Sequence, residues 1–286
     1  MSSENRVWTV LSMLEWATDY FQKKDIPDPR HSIEWLLAHV LGVKRLDLYL
    51  QFDRPLSEKE LGELRPLVKR RASHEPLQYI IGHTDFMACI IHVNPHVLIP
   101  RIETEQLVEI LLTRTATKKD HPISLLDIGT GSGCIPISIK KENPEWYCAG
   151  LDNSDDALTV ARENAERNEV DVDFFTGDLF DLSTNKRCTE RTWDIIISNP
   201  PYIHPDEKST IKKQVINFEP AGSLFHAQPL DVYKSIIEFS KEKGTHLFLE
   251  CNDKTAGKVK EIAGHYFENV ELLNDLDKNP RFLISE

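Results

Sequence analysis

The sequence predicts an α/β fold: a doubly wound, Rossmann-like sheet preceded by a small all-helical domain and a β-hairpin linker. Three observations predict it. From about residue 103 onward, short apolar runs alternate with helical stretches, the pattern of strands crossing over through helices. Glycines and lone polar residues fall at the carboxyl ends of those runs, where doubly wound sheets bind ligands. The first 75 residues carry helical periodicity with no strand-like alternation. The expected division is therefore 1–75 helical, 76–102 linker and 103–286 sheet domain.

In the helical part, Ile33, Leu36, Leu37, Val40 and Leu41 recur at i, i+3, i+4, i+7 and i+8, one buried stripe. Pro29 and Ser32 mark its start and Gly42 its end. Ser57 is placed to cap a second helix carrying Leu61, Leu64 and Val68, in which Pro66 predicts a kink or break. Between His74 and Arg101 the character changes. Gly82, Pro95 and Pro100 separate the β-prone runs Cys89 to Val93 and Val97 to Ile99, which reads as a hairpin-like connector.

In the sheet domain the expected strands are 123–128, 146–151, 172–175, 195–198 and 245–250. Cys134 to Lys140 starts a helix. Ser154 caps another, with Asp155 and Asp156 in its first turn and Ala157, Leu158, Ala161 and Ala165 facing inward.

Composition limits the possibilities. The 286 residues are 40% hydrophobic and 28% charged, which suits a globular protein of two domains. No run approaches the ~18 apolar residues of a membrane span. Met1 to Val10 is polar, so neither a secretory signal nor an Arg-rich transit peptide is expected. The five cysteines are scattered without a C-x-x-C pair, which fits reduced thiols in a cytoplasm better than disulfides or zinc. His83, His92, His96 and His204 lack metal-ligand spacing, and no metal is expected. Net charge is −12; residues 1–75 balance at 12 Lys+Arg against 12 Asp+Glu, so the whole deficit falls on the sheet domain. That is the wrong sign for a nucleic-acid groove. Lys69-Arg70-Arg71 reads as a solvated helix face. No exposed apolar stripe is evident, and a monomer is expected.

Two segments carry the chemistry. Leu125 to Ile128 runs into Gly129-Thr130-Gly131-Ser132-Gly133, a glycine turn before a helix. Glycines let backbone approach a ligand closely, and this spacing differs from G-x-G-x-x-G. Asp152 closes the next strand, where a carboxylate meets ribose hydroxyls or caps the following helix; Asp178 is placed to accept from an adenine amine. The second segment, Ile195 to Ser198 followed by Asn199-Pro200-Pro201-Tyr202, is the more specific. Two prolines fix two φ angles and remove two donors, giving a rigid turn with outward carbonyls. A planar nitrogen with a delocalised lone pair cannot be deprotonated beforehand at neutral pH. Two acceptors, Asn199 Oδ1 and the Pro200 carbonyl, can hold its two N–H groups and turn the lone pair toward a sulfonium methyl. Tyr202 is expected to stack on the planar group. The same geometry suits an amide or an exocyclic base amine.

At this point the chain resembles the protein-(glutamine-N5) methyltransferases of the HemK/PrmC family. His74-Glu75-Pro76-Leu77-Gln78-Tyr79-Ile80-Ile81-Gly82 with Phe86 looks like the family's linker. Val97 to Glu105 looks like its LIPRPETE signature, and the glycine turn, Asp152, Asn199 to Tyr202 and Glu219-Pro220 complete the pattern from about residue 30 to the end. The resemblance implies a class I methyltransferase fold and S-adenosylmethionine as cofactor. It implies class 1 peptide chain release factors as partners, methylated on the glutamine of a Gly-Gly-Gln loop. It implies that the helical domain helps hold that protein. Carried over residue by residue, Gly129 to Gly133, Asp152, Leu179 and Phe86 meet the cofactor, and Asn199 to Tyr202 grip the amide. Ile102 stands where the family has proline, and Glu250-Cys251-Asn252 where it commonly has Glu-His-Gly. The alternatives are a DNA or RNA exocyclic-amine methyltransferase acting on adenine N6, and a non-catalytic cofactor-binding scaffold.

Overall fold

The computed structural model describes residues 7–116, 122–243 and 246–285. In chain order its helices and strands are α1 (Val10–Gln22), α2 (Pro29–Leu41), α3 (Glu58–Ala72), α4 (Leu77–Ile81), β1 (His83–Phe86), β2 (Cys89–His92), α5 (Ile102–Thr115), β3 (Ser124–Ile128), α6 (Cys134–Glu142), β4 (Tyr147–Asp152), α7 (Asp155–Arg167), β5 (Asp173–Thr176), α8 (Lys186–Thr189), β6 (Ile195–Ser198), α9 (Lys213–Phe218), α10 (Ala221–Leu224), α11 (Pro229–Lys243), β7 (His246–Glu250), α12 (Ala256–Gly264), β8 (Val270–Asn274) and β9 (Pro280–Ser285). Two 3-10 helices, Arg45–Leu50 and Pro205–Thr210, complete the set. The chain forms two compact units, residues 1–82 with 212–218, and residues 83–211 with 219–286.

The first unit is helical. Ile33, Leu36 and Leu37 of α2 are fully buried among Leu14 and Phe21 of α1 and Leu64 of α3. Pro29 sits in the first turn of α2, and Gly42 ends the helix in the left-handed region at φ 64°. Ser57 caps α3 as a capping box with Glu60. The break expected at Pro66 does not occur: α3 runs unbroken. Buried Leu64 and Val68 hold the helix on both sides of the proline. Arg71 is buried rather than solvated; it donates to Ser32 Oγ at 3.0 Å, the Glu75 carbonyl at 2.9 Å and the Pro27 carbonyl at 3.3 Å. Burial pulls its guanidinium down to about 10. The sequence offered no exposed apolar stripe, yet Leu46, Tyr49 and Leu50 of the first 3-10 helix are all exposed.

The second unit is a seven-stranded sheet of order β5-β4-β3-β6-β7-β9-β8. The first five of these are parallel, and β9 joins β7 and β8 antiparallel. Strands buried on both faces read as continuous apolar runs, as β6 does with Ile195, Ile196 and Ile197. One face packs Leu126, Ile128, Ile196, Leu247 and Leu249 against Tyr233, Ile236 and Ile237 of α11 and Val259 of α12. Strand alternation turns Asp127 to the opposite face. The strand expected over 245–250 is His246–Glu250, and residue 245 lies outside the described residues.

The hairpin β1–β2 is antiparallel with His83 opposite His92. Its β2 edge is closed by asparagine side chains of α7. Asn164 Oδ1 accepts from His92 N–H at 2.8 Å, its amide donates to the His92 carbonyl at 2.9 Å, and Asn168 donates to the Ile90 carbonyl at 2.9 Å. Val97 to Ile99, the second β-prone run of the connector, is irregular. Its Ile99 N–H donates to the Glu219 carboxylate at 3.2 Å, so a side chain has taken the place of a strand partner.

Gly150, in the middle of β4, has no room for a side chain. A Cβ there would lie 2.6 Å from Thr130 Oγ1 and 2.9 Å from the Phe174 ring. Gly150→Ala should therefore destabilise the second unit by about 1–3 kcal/mol, the range for overpacked cores. Thermal unfolding checks this; an unchanged midpoint would mean that the glycine turn yields freely.

Candidate active site

A cavity of about 250 Å³ opens beyond the carboxyl ends of β3, β4, β5 and β6. Its wall includes Gly129 and Gly131 after β3, Asp152 at the end of β4, Gly177 and Leu179 after β5, and Asn199 after β6.

The glycine turn is built from alternating positive φ angles: 76° at Gly129, 54° at Gly131 and 77° at Gly133. Gly129 and Thr130 N–H both donate to the Leu151 carbonyl at 2.9 Å, tying the turn to β4. At Gly133, the cap of α6, a Cβ would meet the Phe174 ring at 2.9 Å. Asp152 Oδ2 accepts from Gly131 N–H at 2.8 Å and Oδ1 from Ser154 N–H at 3.0 Å. The carboxylate thus faces the cavity while organising the turn that enters α7. The cap of α7 itself is Ser154, whose hydroxyl accepts from Ala157 N–H at 3.2 Å. Burial raises the Asp152 carboxyl, and the backbone donors oppose that rise without cancelling it.

Behind the turn lies Asp127, 1% exposed, whose carboxylate oxygens make no hydrogen bond of ordinary geometry although the Thr130 hydroxyl is close enough to favour the charged form. The Thr130 hydroxyl is likewise buried and without a hydrogen bond of ordinary geometry. Burial, with repulsion from Asp152, pushes Asp127 up to about 7. A buried carboxylate without a partner is expensive. It suits a site that receives a cationic ligand.

β6 delivers the second half. Ser198 anchors the strand end by donating to the Ile128 carbonyl at 2.6 Å. Asn199 Nδ2 donates to Thr104 Oγ1 at 3.0 Å. Thr104 Oγ1 donates to Glu250 Oε2 at 2.7 Å, and the Tyr202 hydroxyl donates to Glu250 Oε1 at 3.0 Å. Burial raises the fully buried Glu250 carboxyl; the two hydroxyl donors and the Arg281 charge oppose it, and Glu103 adds to it. Among the described residues, neither Asn199 Oδ1 nor the Pro200 carbonyl receives a hydrogen bond.

Of the residues singled out from sequence, Gly129, Gly131, Asp152, Leu179, Asn199 and Pro201 line the cavity. Thr130 and Ser132 are buried behind it, Gly133 starts α6, and Pro200 is buried within the motif. Asp178 is not part of the wall; its Oδ1 accepts from Phe180 N–H at 2.9 Å. Tyr202 is not part of the wall either, its ring packing on the sheet core. Phe86 is fully buried in β1, and His96 and Leu98 line the cavity from the segment that follows the hairpin. That segment is fastened by Arg101, which pairs with Glu219 at 2.6 Å, while Glu219 also holds Ile99. Pro220, Gly222 and Ser223 beyond it line the same cavity. Asp127, Thr104 and Glu250 were not among the expected site residues. Asp127 carried the one local signal, a charge inside an apolar strand. Among the described residues no cluster of metal-ligating side chains is present.

Comparison with known proteins matches residues 12–82 to the PrmC N-terminal domain and residues 103–224 to the methyltransferase small domain. The release factor glutamine methyltransferase of Geobacter sulfurreducens is 38% identical over 243 residues, covering 85% of this chain and 82% of the relative. That of Chlorobaculum tepidum is 37% identical over 289 residues, covering 98% of each. Among solved structures, the hMettl16 catalytic domain in complex with MAT2A 3′UTR hairpin 6 has a TM-score of 0.55 at 18% identity, covering 76% of this chain and 80% of that one. The N-terminal domain of human METTL16 in complex with SAH has a TM-score of 0.50 at 17% identity, covering 99% and 97%. These two likenesses concern the fold.

The Asp127 geometry predicts a pH signature. Its folded carboxyl, at about 7, binds a proton more tightly than the unfolded chain does at 3.8. The stability this proton confers is present at low pH and is lost as pH rises through about 7. Without added ligand, the wild type should lose on the order of a few kcal/mol between pH 4 and 8 relative to Asp127→Asn. Thermal unfolding of both proteins across that window measures the difference; parallel curves would exclude an uncompensated carboxylate.

Proposed function

Because the chain belongs to the release factor glutamine methyltransferase family, we propose that it transfers a methyl group from S-adenosylmethionine to the side-chain amide nitrogen of a release factor glutamine. The glutamine is that of a Gly-Gly-Gln loop in class 1 release factors, and the modification supports translation termination. The observation that carries this reading is Asn199, which lines the cavity at the end of β6 with its Oδ1 unpartnered and is followed by the unpartnered Pro200 carbonyl.

The residues present fit the cofactor. Asp127 is an orphaned carboxylate suited to a cation, Asp152 suits ribose hydroxyls, and Leu98, Leu151 and Leu179 offer an apolar wall to a flat ring. When bound, S-adenosylmethionine supplies an electrophilic methyl on sulfur. The chain's own groups do the rest. Asn199 Oδ1 and the Pro200 carbonyl accept the two amide N–H groups, which biases the nitrogen toward a tetrahedral shape and aims its lone pair. Positive charge that develops on the nitrogen meets two preorganised acceptors, so no general base precedes the transfer. Asparagine accepts without a charge or a pKa of its own. The helical unit serves in holding the release factor.

A cytoplasmic monomer that binds no nucleic acid directly belongs to the same reading. All five cysteines are buried free thiols, which suits a reducing compartment. No helix of the described residues is long and apolar enough to cross a membrane. The catalytic unit carries the acidic excess.

Mass spectrometry of a purified release factor after incubation with this protein and S-adenosylmethionine tests the reading, with DNA and ribosomal RNA in parallel tubes. One methyl on the Gly-Gly-Gln glutamine is expected. Labelled nucleic acid with no protein product would move the substrate to a base amine. Asn199→Ala should lower methyl transfer by on the order of 10²-fold or more while cofactor affinity holds. Equal turnover in that variant would sink the acceptor mechanism. Asp152→Ala should weaken cofactor binding by about 1.5–3 kcal/mol, read by calorimetry.

A further inference from the structure

An asparagine amide presents two ends of nearly the same shape, and only one of them is useful here. Acceptor chemistry at Asn199 needs Oδ1 facing the cavity, so something must hold Nδ2 the other way. The group in contact with Nδ2 is the Thr104 hydroxyl, 3.0 Å away. A hydroxyl is both donor and acceptor and would by itself welcome either end of the amide. Its single hydrogen, however, is committed to Glu250 Oε2 at 2.7 Å. Both oxygens of Glu250 receive a hydroxyl donor, from Thr104 and from Tyr202, so the carboxylate acts here only as an acceptor. Thr104 Oγ1 is therefore left as an acceptor, and only the Nδ2 end of Asn199 can meet it.

We propose that Glu250 is a positioning residue that fixes the orientation of the Asn199 amide through Thr104, and that its second oxygen holds the far end of the same tetrapeptide through Tyr202. Residues 104, 199 and 250 come from three separate elements, α5, the end of β6 and the end of β7. The arrangement is thus tertiary and owes nothing to local turn geometry. The Tyr202 hydroxyl donates to Glu250 Oε1 at 3.0 Å, so one carboxylate grips both Asn199, by way of Thr104, and Tyr202. Asn252 supports the same end, its amide reaching the Tyr202 carbonyl at 3.5 Å. Glu250 is 1% exposed and receives no direct ion pair among the described residues; Arg281, the nearest opposite charge acting on it, donates to Asp275 and to the Cys251 carbonyl. A buried carboxylate is weak evidence for stability, since an apolar residue of similar volume often serves a core as well. Its presence at the end of β7 is explained by the donor direction it imposes.

The inference rests on the proposed amide-nitrogen chemistry, and three substitutions test it. Glu250→Gln keeps the shape but introduces a donor, so that Thr104 can accept from it and donate to Asn199, and both orientations of the Asn199 amide become available. Thr104→Val removes the hydroxyl at nearly constant volume, and Thr104→Ser restores it. With release factor as substrate, kcat should fall at least tenfold in Glu250→Gln and in Thr104→Val, while cofactor Kd and the release factor KM stay within twofold. Thr104→Ser should recover most of the turnover lost in Thr104→Val. The double variant Glu250→Gln/Thr104→Val should be no slower than Thr104→Val alone, because the amide oxygen of Glu250→Gln can still accept from Tyr202, leaving Thr104 as the one contact both substitutions disturb. Wild-type kcat in Glu250→Gln would overturn the proposal. So would a loss of cofactor affinity or of thermal midpoint that tracks the loss of kcat, since a merely structural carboxylate predicts that. If Glu250→Gln does not fold, the valine and serine variants at 104 carry the test, and equal turnover in the two overturns it. Wild-type enzyme that methylates nucleic acid and no release factor would reject the proposed substrate; the same variants assayed on that nucleic acid would still decide the role of Glu250.

Discussion

Five parallel strands buried on both faces leave almost no place along their length for a polar side chain. Function is therefore pressed to the line where the strands end. Asp152, Asn199 and Glu250 each stand at or just past the carboxyl end of a strand, and Gly129 and Gly177 turn the chain there. The parallel register aligns these ends, pairing Asp127 with Gly150 and Ser198 with Leu249. Asp127 is the exception that enters a strand, and it stands there with no hydrogen-bond partner.

The same constraint decides what a reader of the sequence could see. β6 and the glycine turn were legible because a buried parallel strand must be apolar and must stop at a polar or glycine residue, both local facts. Ser57 and Ser154 were legible as caps because a cap and its partner lie three residues apart. The misses are contacts across long stretches of chain. Thr104 and Glu250 are separated by 146 residues, so nothing near either one signals the other. Val97 to Ile99 has strand composition, but its backbone donor meets a glutamate 120 residues away. Pro66 failed as a helix breaker because the flanking leucine and valine are buried and hold the helix in place. The motif tyrosine, expected to face the substrate, is tied by its hydroxyl to a carboxylate that periodicity cannot reveal.

The cavity wall shows how loops gain strand-like precision without joining the sheet. The segment carrying His96 and Leu98 and the segment carrying Pro220 and Gly222 are joined by one glutamate, Glu219, which pairs with Arg101 and accepts from Ile99 N–H. With its side chain only 1% exposed, Glu219 cannot turn to water for a substitute partner. The stretch before α5 and the start of α10 thereby share one anchor, and a disturbance of either reaches the other.

The asparagine clamp on β2 bears on the order in which the molecule can be assembled. A two-stranded hairpin is marginal by itself in water. Here its outer edge is completed by Asn164, whose bonds to His92 span 72 residues. A chain emerging from the ribosome presents β1 and β2 long before α7 exists, so the hairpin must wait, unpaired on that edge, until the first half of the sheet has been synthesised. The apolar cluster of the helical unit closes between Val10 and Ile80 and has no such delay. Translation thus delivers the residues of the helical cluster first and then a hairpin whose second edge is completed only when the helix that follows the second sheet strand arrives to grip it.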